Sequence, residues 1–91
     1  MIDIKNISGD KKVEIEPNPF SYYTIISIPE SIKESFSLDV FDINGKKVFN
    51  QQNIISNKFI LGRNSLLPGN YFYKIYTRDY HYLLTGKIIV N

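Results

Sequence analysis

Polar and apolar residues alternate along several short stretches of this chain, with the period of two that marks strands having one buried face. Lys12–Glu16 (KVEIE) is the first. Pro17-Asn18-Pro19 stops it, since each proline lacks an N–H donor and biases the residue before it to extended backbone. Tyr22–Ile28 (YYTIISI) is the second, with Ile26 and Ile28 inward and Ser27 opposite. Phe36–Asp42 (FSLDVFD) alternates most clearly: Phe36, Leu38 and Val40 face in, and Ser37, Asp39 and Phe41 face out. Asn44-Gly45 then predicts a tight hairpin, because both residues tolerate positive φ. Lys46–Gln51 returns as its partner with Val48 as the inward residue, and Lys58–Leu61 is a further short strand.

Pro68-Gly69 suits the central positions of a type II turn and predicts positive φ at Gly69. Tyr71–Thr77 (YFYKIYT) follows, with Tyr71, Tyr73 and Ile75 inward and Lys74 outward. Arg78-Asp79-Tyr80-His81 is a polar turn leading into Tyr82–Val90, where alternation sends Ile88 and Val90 inward and Lys87 and Ile89 outward. Seven short strands joined by turn-rich loops predict an all-β fold, and a β-sandwich above a barrel. Tyr71 follows a turn at the start of the sixth strand. Immunoglobulin-like sandwiches place there a tyrosine whose hydroxyl bonds back to upstream backbone.

Composition sharpens this picture. The 91 residues include 15 Ile, 7 Tyr and 6 Phe but no Ala, Cys or Trp. β-branched and aromatic residues favour strands, whereas helices favour Ala and Leu. A chain of this size builds one modest core. Residues 1–12 read as a linker or N-terminal extension, and 13–91 as a single domain. Without Cys there is no disulfide, thiolate metal site or Cys nucleophile. The net charge of +2 comes from scattered Lys and Arg, so nothing predicts a nucleic-acid face. No apolar run approaches the ~20 residues that span a bilayer, and Met1–Phe20 lacks the apolar core of a signal peptide.

Catalytic chemistry finds little support. His81 sits in an exposed turn beside Asp79, whereas a Ser-His-Asp arrangement needs a supported imidazole. Glu14 with Glu16 and Asp39 with Asp42 are carboxylate pairs. The first shares an outer strand face, where solvation explains it without a raised pKa. Asp42-Ile43-Asn44-Gly45 resembles the start of a calcium loop but lacks the remaining ligands, and a hairpin turn accounts for the same residues. No cofactor and no metal are expected. The outward aromatics Tyr23, Phe41, Phe49, Phe72 and Tyr76 stand above background. They suit stacking on sugar rings or a protein-binding patch, or simple cross-strand packing.

Four segments in register carry a resemblance. They are Pro17-Asn18-Pro19-Phe20 with Thr24–Ile28; Val40–Val48, containing Gly45, Lys46 and Val48; Leu67–Ile75, containing Leu67, Gly69 and Tyr71; and Gly86-Lys87-Ile88-Ile89-Val90 at the end of the sequence. In this order and spacing, over residues 13–91, the chain resembles the C-terminal sorting domain of type IX (Por-system) secretion cargo from the Bacteroidetes. The resemblance implies a seven-stranded immunoglobulin-like β-sandwich without enzymatic activity. It implies a covalently linked upstream passenger, carried through the periplasm to the cell surface or beyond. The implied partners are the outer-membrane secretion machinery and a sortase-like surface peptidase that removes the domain. No membrane insertion and no nucleic acid are implied, and the domain is expected to be a monomer. Gly86, Lys87, Ile88, Ile89 and Val90 are the candidate sorting signal, with a free strand edge open to strand addition. The competing reading is a carbohydrate-binding or adhesive sandwich that uses the outward aromatics.

Overall fold

The computed structural model describes residues 13–64 and 66–91. The strands are β1 (Glu14–Glu16), β2 (Tyr23–Ser27), β3 (Phe36–Phe41), β4 (Lys47–Ile54), β5 (Lys58–Gly62), β6 (Gly69–Thr77) and β7 (Leu83–Val90). A 3-10 turn, Arg78–Tyr80, joins the last two. One antiparallel sheet has the order β1-β2-β5 and the other β4-β3-β6-β7. The expected all-β chain with seven strands is therefore what is found. The expected extension over residues 1–12 lies outside the described residues.

Alternation dictates which side chains the two sheets bury. Ile26 and Leu61 from the first sheet meet Leu38, Val40, Ile75 and Ile88 from the second, and all are almost fully buried. Each such side chain contributes about 1.5–3 kcal/mol by leaving water. Ile28, Phe36, Tyr71, Tyr73 and Val90 are buried as their parity predicts. Phe49 of β4 and Phe59 of β5 touch between the sheets, with ring centroids 6.2 Å apart.

Phe49 and Val48 reverse the expected faces of the fourth strand. Phe41 pairs with Lys47, and regular continuation would set Val48 opposite the inward Val40. A bulge intervenes, and Val40 pairs with Phe49. The extra residue flips the side chains that follow it, until a second shift between Leu38 and Phe36 returns Ile54 to the core. Val48 is thus 37% exposed, and Phe49 turns inward onto the core.

Two turns also differ from expectation. Asp42 and Lys46 close a three-residue loop: the Asp42 N–H donates to Lys46 O at 2.9 Å, and the Gly45 N–H donates to Asp42 O at 3.0 Å. Gly45 alone of the Asn-Gly pair takes positive φ, at +84°. A type I turn followed by a left-handed glycine gives this geometry. One Asp42 carboxylate oxygen, Oδ1, accepts the N–H groups of both Asn44 and Lys46 at 2.9 and 3.0 Å, so a turn role accounts for this residue. Gly69 has positive φ, as expected, but at +152° it is too extended for the ~+80° of a type II turn. It is already the first residue of β6, paired with Val90.

Candidate functional site

The register of the four-stranded sheet gathers the motif residues at one end. Phe41 pairs with Phe72, and Phe72 pairs with Lys87, forming one row across β3, β6 and β7. Just beyond that row lie the Asp42–Lys46 turn with Gly45, then Gly69 paired with Val90. Tyr71 pairs with Ile88 on the core side, and its hydroxyl donates to Leu67 O at 2.6 Å, four residues upstream. The expected backward tyrosine bond therefore forms, and it anchors the Leu67–Asn70 connection to the strand.

The Pro17–Phe20 segment joins this end from the far side of the sequence. Its two X-Pro bonds, Glu16-Pro17 and Asn18-Pro19, are cis. Phe20 is 1% exposed and anchors the segment in the core. The buried Thr24 hydroxyl donates to Pro17 O at 2.6 Å. Between the prolines, the exposed Asn18 turns its amide toward β7. Its Nδ2 donates to Lys87 O at 3.3 Å, and its Oδ1 accepts the Ile89 N–H at 2.9 Å. The Phe20 N–H donates to Ile89 O at 3.0 Å, and Phe20 O accepts the Asn91 N–H at 2.9 Å. Phe20 and Val90 form one parallel bridge. Residues 18–20 thus serve as a minimal neighbouring strand, with the Asn18 amide in place of a peptide group.

This arrangement corrects the expectation of a free terminal edge. β7 ends the order of its sheet, but between Lys87 and Asn91 its outer edge is occupied by Asn18 and Phe20. The faces of the strand are as alternation predicts: Ile88 and Val90 are buried, Lys87 is exposed and Ile89 is half-buried. Gly86 faces Tyr73, whose ring occupies the space a side chain would need. Burial pushes the Tyr73 phenol above its ordinary pKa.

On the outer face, Phe41, Phe72, Lys74, Thr85 and Lys87 line a shallow groove of about 420 Å³. The Lys74 ammonium lies 5.9, 5.1 and 5.3 Å from the ring centroids of Phe41, Tyr76 and Tyr80, and 3.3 Å from the Tyr80 hydroxyl. Phe41 and Tyr76 therefore pack against a cation, each worth about 0.5–1 kcal/mol at a partly exposed site. Tyr23 and Phe72 are exposed as expected, whereas Phe49 is not. Tyr76 and Tyr80 meet at 88°, edge to face, and present no flat platform for a sugar ring. Asp39 does point to this outer face, yet it is 1% exposed. The crowded central strand covers it, and its carboxylate accepts from Asn50 Nδ2 at 2.6 Å and pairs with Lys47 Nζ at 3.4 Å. It is separate from Asp42, which is committed to its turn. His81, expected to be solvated, is half-exposed and pairs through Nδ1 with Glu34. Glu14 and Glu16 are exposed.

Sequence reasoning missed two of these features, the Asn18 clamp and the aromatic surround of Lys74. An asparagine held between two prolines was the available signal for the first. A lone glycine inside a strand signals a close approach, and the structure shows Tyr73 as the neighbour.

No curated protein matches the sequence. Among solved structures the fold is similar to part of PorZ, described as an essential bacterial surface component of the type IX secretion system of Porphyromonas gingivalis. The TM-score is 0.70 at 14% identity, over 87% of this chain and 11% of that one. The match establishes shared fold, and the chain spans only that small fraction of the larger protein's length. The model of the secretion system C-terminal sorting domain matches residues 14–91, which takes in every strand from β1 to β7. The chain belongs to the secretion system C-terminal sorting domain family, whose members are the sorting signal of type IX secretion.

Proposed function

We propose that the secretion machinery reads this domain at the end of the four-stranded sheet where Gly45, Lys46, Gly69, Tyr71 and the Gly86–Val90 strand gather. The observation that carries this reading is the register: the Phe41–Phe72–Lys87 row places the one exposed cation of the terminal motif beside an apolar groove. Lys87 and Ile89 are the side chains presented outward. Ile88 and Val90 hold the strand in the core, and Gly86 lets it close on Tyr73. Because the strand edge here is already occupied, side chains rather than backbone carry the recognition.

In this reading the domain has no catalytic part. It travels folded as an immunoglobulin-like sandwich, a description supported by the three-on-four strand order and the Tyr71–Leu67 bond. It carries an upstream passenger through the periplasm and is recognised by the outer-membrane machinery. A sortase-like surface peptidase then removes it, near or before the start of β1. Among the described residues no flat aromatic platform favours the carbohydrate-binding alternative.

The test is export of a fluorescent passenger fused ahead of the domain. Lys87→Ala with Ile89→Ser is expected to keep the domain folded and to impair export. Val90→Ala, a change in the core, is expected to destabilise by about 1–3 kcal/mol. Wild-type export of a folded double variant would remove the outer face of β7 from consideration.

A further inference from the structure

We infer that Asn18 is a side-chain plug that keeps the outer edge of β7 from pairing with a second copy of this chain. In an antiparallel pair, alternate residues turn their N–H and C=O away from the partner strand. Ile89 is one of these, since its N–H and C=O go to Asn18 and Phe20 rather than to β6. Thr85 and Leu83 share its parity and face outward along the same edge. Beyond them, among the described residues, lies no further strand in the sheet order. Without Asn18 the outward groups of Leu83, Thr85, Lys87 and the Ile89 N–H form one continuous open edge.

Such an edge is a template for another strand, and natural sheets block it with charges, prolines, bulges or covering loops. β7 (LLTGKIIV) carries a single charge, no proline and no bulge in its pairing with β6. Its protection therefore rests on the cover at one end. The natural occupant of the uncovered edge is β7 of a second molecule, because an antiparallel β7–β7 pair is self-complementary about a two-fold axis. Two four-stranded sheets would then join into one.

The plug is small and dispensable for the core. Pro17, Asn18 and Pro19 are all exposed, while Phe20 independently anchors the segment. The Asn18 amide does two jobs that no other single residue here does: it donates to Lys87 O and accepts from Ile89 N–H. Aspartate retains the acceptor but not the donor, and alanine retains neither.

The experiment uses the isolated domain and sedimentation velocity over a wide concentration range, so it is independent of whether β7 is read during export. The wild type is expected to remain monomeric. Asn18→Ala is expected to self-associate with rising concentration, and its Ile89 amide to exchange with solvent about ten-fold faster, as for the loss of one hydrogen bond. Thr85→Pro deletes an edge donor without breaking a bond to β6. Added to Asn18→Ala, it is expected to restore the monomer. If Asn18→Ala does not fold, Asn18→Ser, uncharged and too short to hold both groups, decides by the same readout. A folded Asn18 variant that stays monomeric at every concentration, or an association that Thr85→Pro leaves unchanged, overturns the proposal.

Discussion

The ring of Tyr73 lies against Gly86, its cross-strand partner, so closely that a Cβ on Gly86 would stand 2.6 Å from the Tyr73 Cζ. Both residues face the core, and the ring covers backbone that a strand glycine would otherwise leave bare. The glycine is therefore required by packing, and neither turn nor left-handed backbone explains it.

Gly86→Ala is accordingly expected to destabilise the domain by about 1–3 kcal/mol, the usual cost of overpacking a filled core site. Denaturant unfolding measures this as a lowered midpoint with an unchanged slope. Pairing Gly86→Ala with Tyr73→Leu removes the clash, and the double variant is expected to be less destabilised than the two single changes summed. Additive losses would show that the ring does not constrain position 86.

Alkaline pH tests the same contact through the phenol. Burial raises the Tyr73 pKa above its unfolded value of 10.0, because desolvation penalises the phenolate. The neutral phenol is the form that folding favours. The resulting stabilisation is fully present below pH 10 and is lost as pH rises through the raised native value. Thermal unfolding monitored across this range is expected to show a decline for the wild type that is shallower in Tyr73→Phe. Equal declines in the two proteins would place the sensitivity in another group.

The bulge in β4 makes opposite demands on neighbouring residues. Val48 is exposed, so Val48→Ser is expected to change stability by no more than about 0.5 kcal/mol. Phe49 reaches the core and touches Phe59, so Phe49→Ala is expected to cost at least about 1–3 kcal/mol. A reversed ranking in chemical denaturation would restore the unbulged hairpin, with Val48 inward.

Most strand faces were legible without the structure. Ile26, Leu38, Val40, Tyr71, Ile75 and Ile88 lie in ladders of unbroken register with β5, β6 or β7, and each is buried where its parity sends it. Parity fails only where something shifts the count. At Val48 and Phe49 one bulged residue did so, and the local pattern KVFN carries apolar residues at both positions, so neither is marked as the inward one. Asp39 was assigned the right face and the wrong environment. Alternation reports direction, whereas the neighbours Asn50 and Lys74 on the flanking strands decide exposure.

The candidate site divides along the same line. From the residues alone come the all-β class, the turn at Gly45, the tyrosine at position 71 and the resemblance to a sorting domain. Each depends on interactions among residues close in the chain, or on a pattern that needs no partner. The meeting of Asn18 with Lys87 and Ile89 joins positions 69 and 71 residues apart, and no local propensity encodes that distance. It exists because Phe20 is drawn into the core beside Val90, which brings the Pro17–Pro19 backbone alongside an edge strand with unpaired polar groups. Those groups lie in an exposed setting, where a side-chain amide held at hydrogen-bond distance takes the place of water. Packing of the two sheets decided that the partner would be the Asn18 side chain, and so covered the Lys87–Asn91 end of the strand, which the sequence had left open.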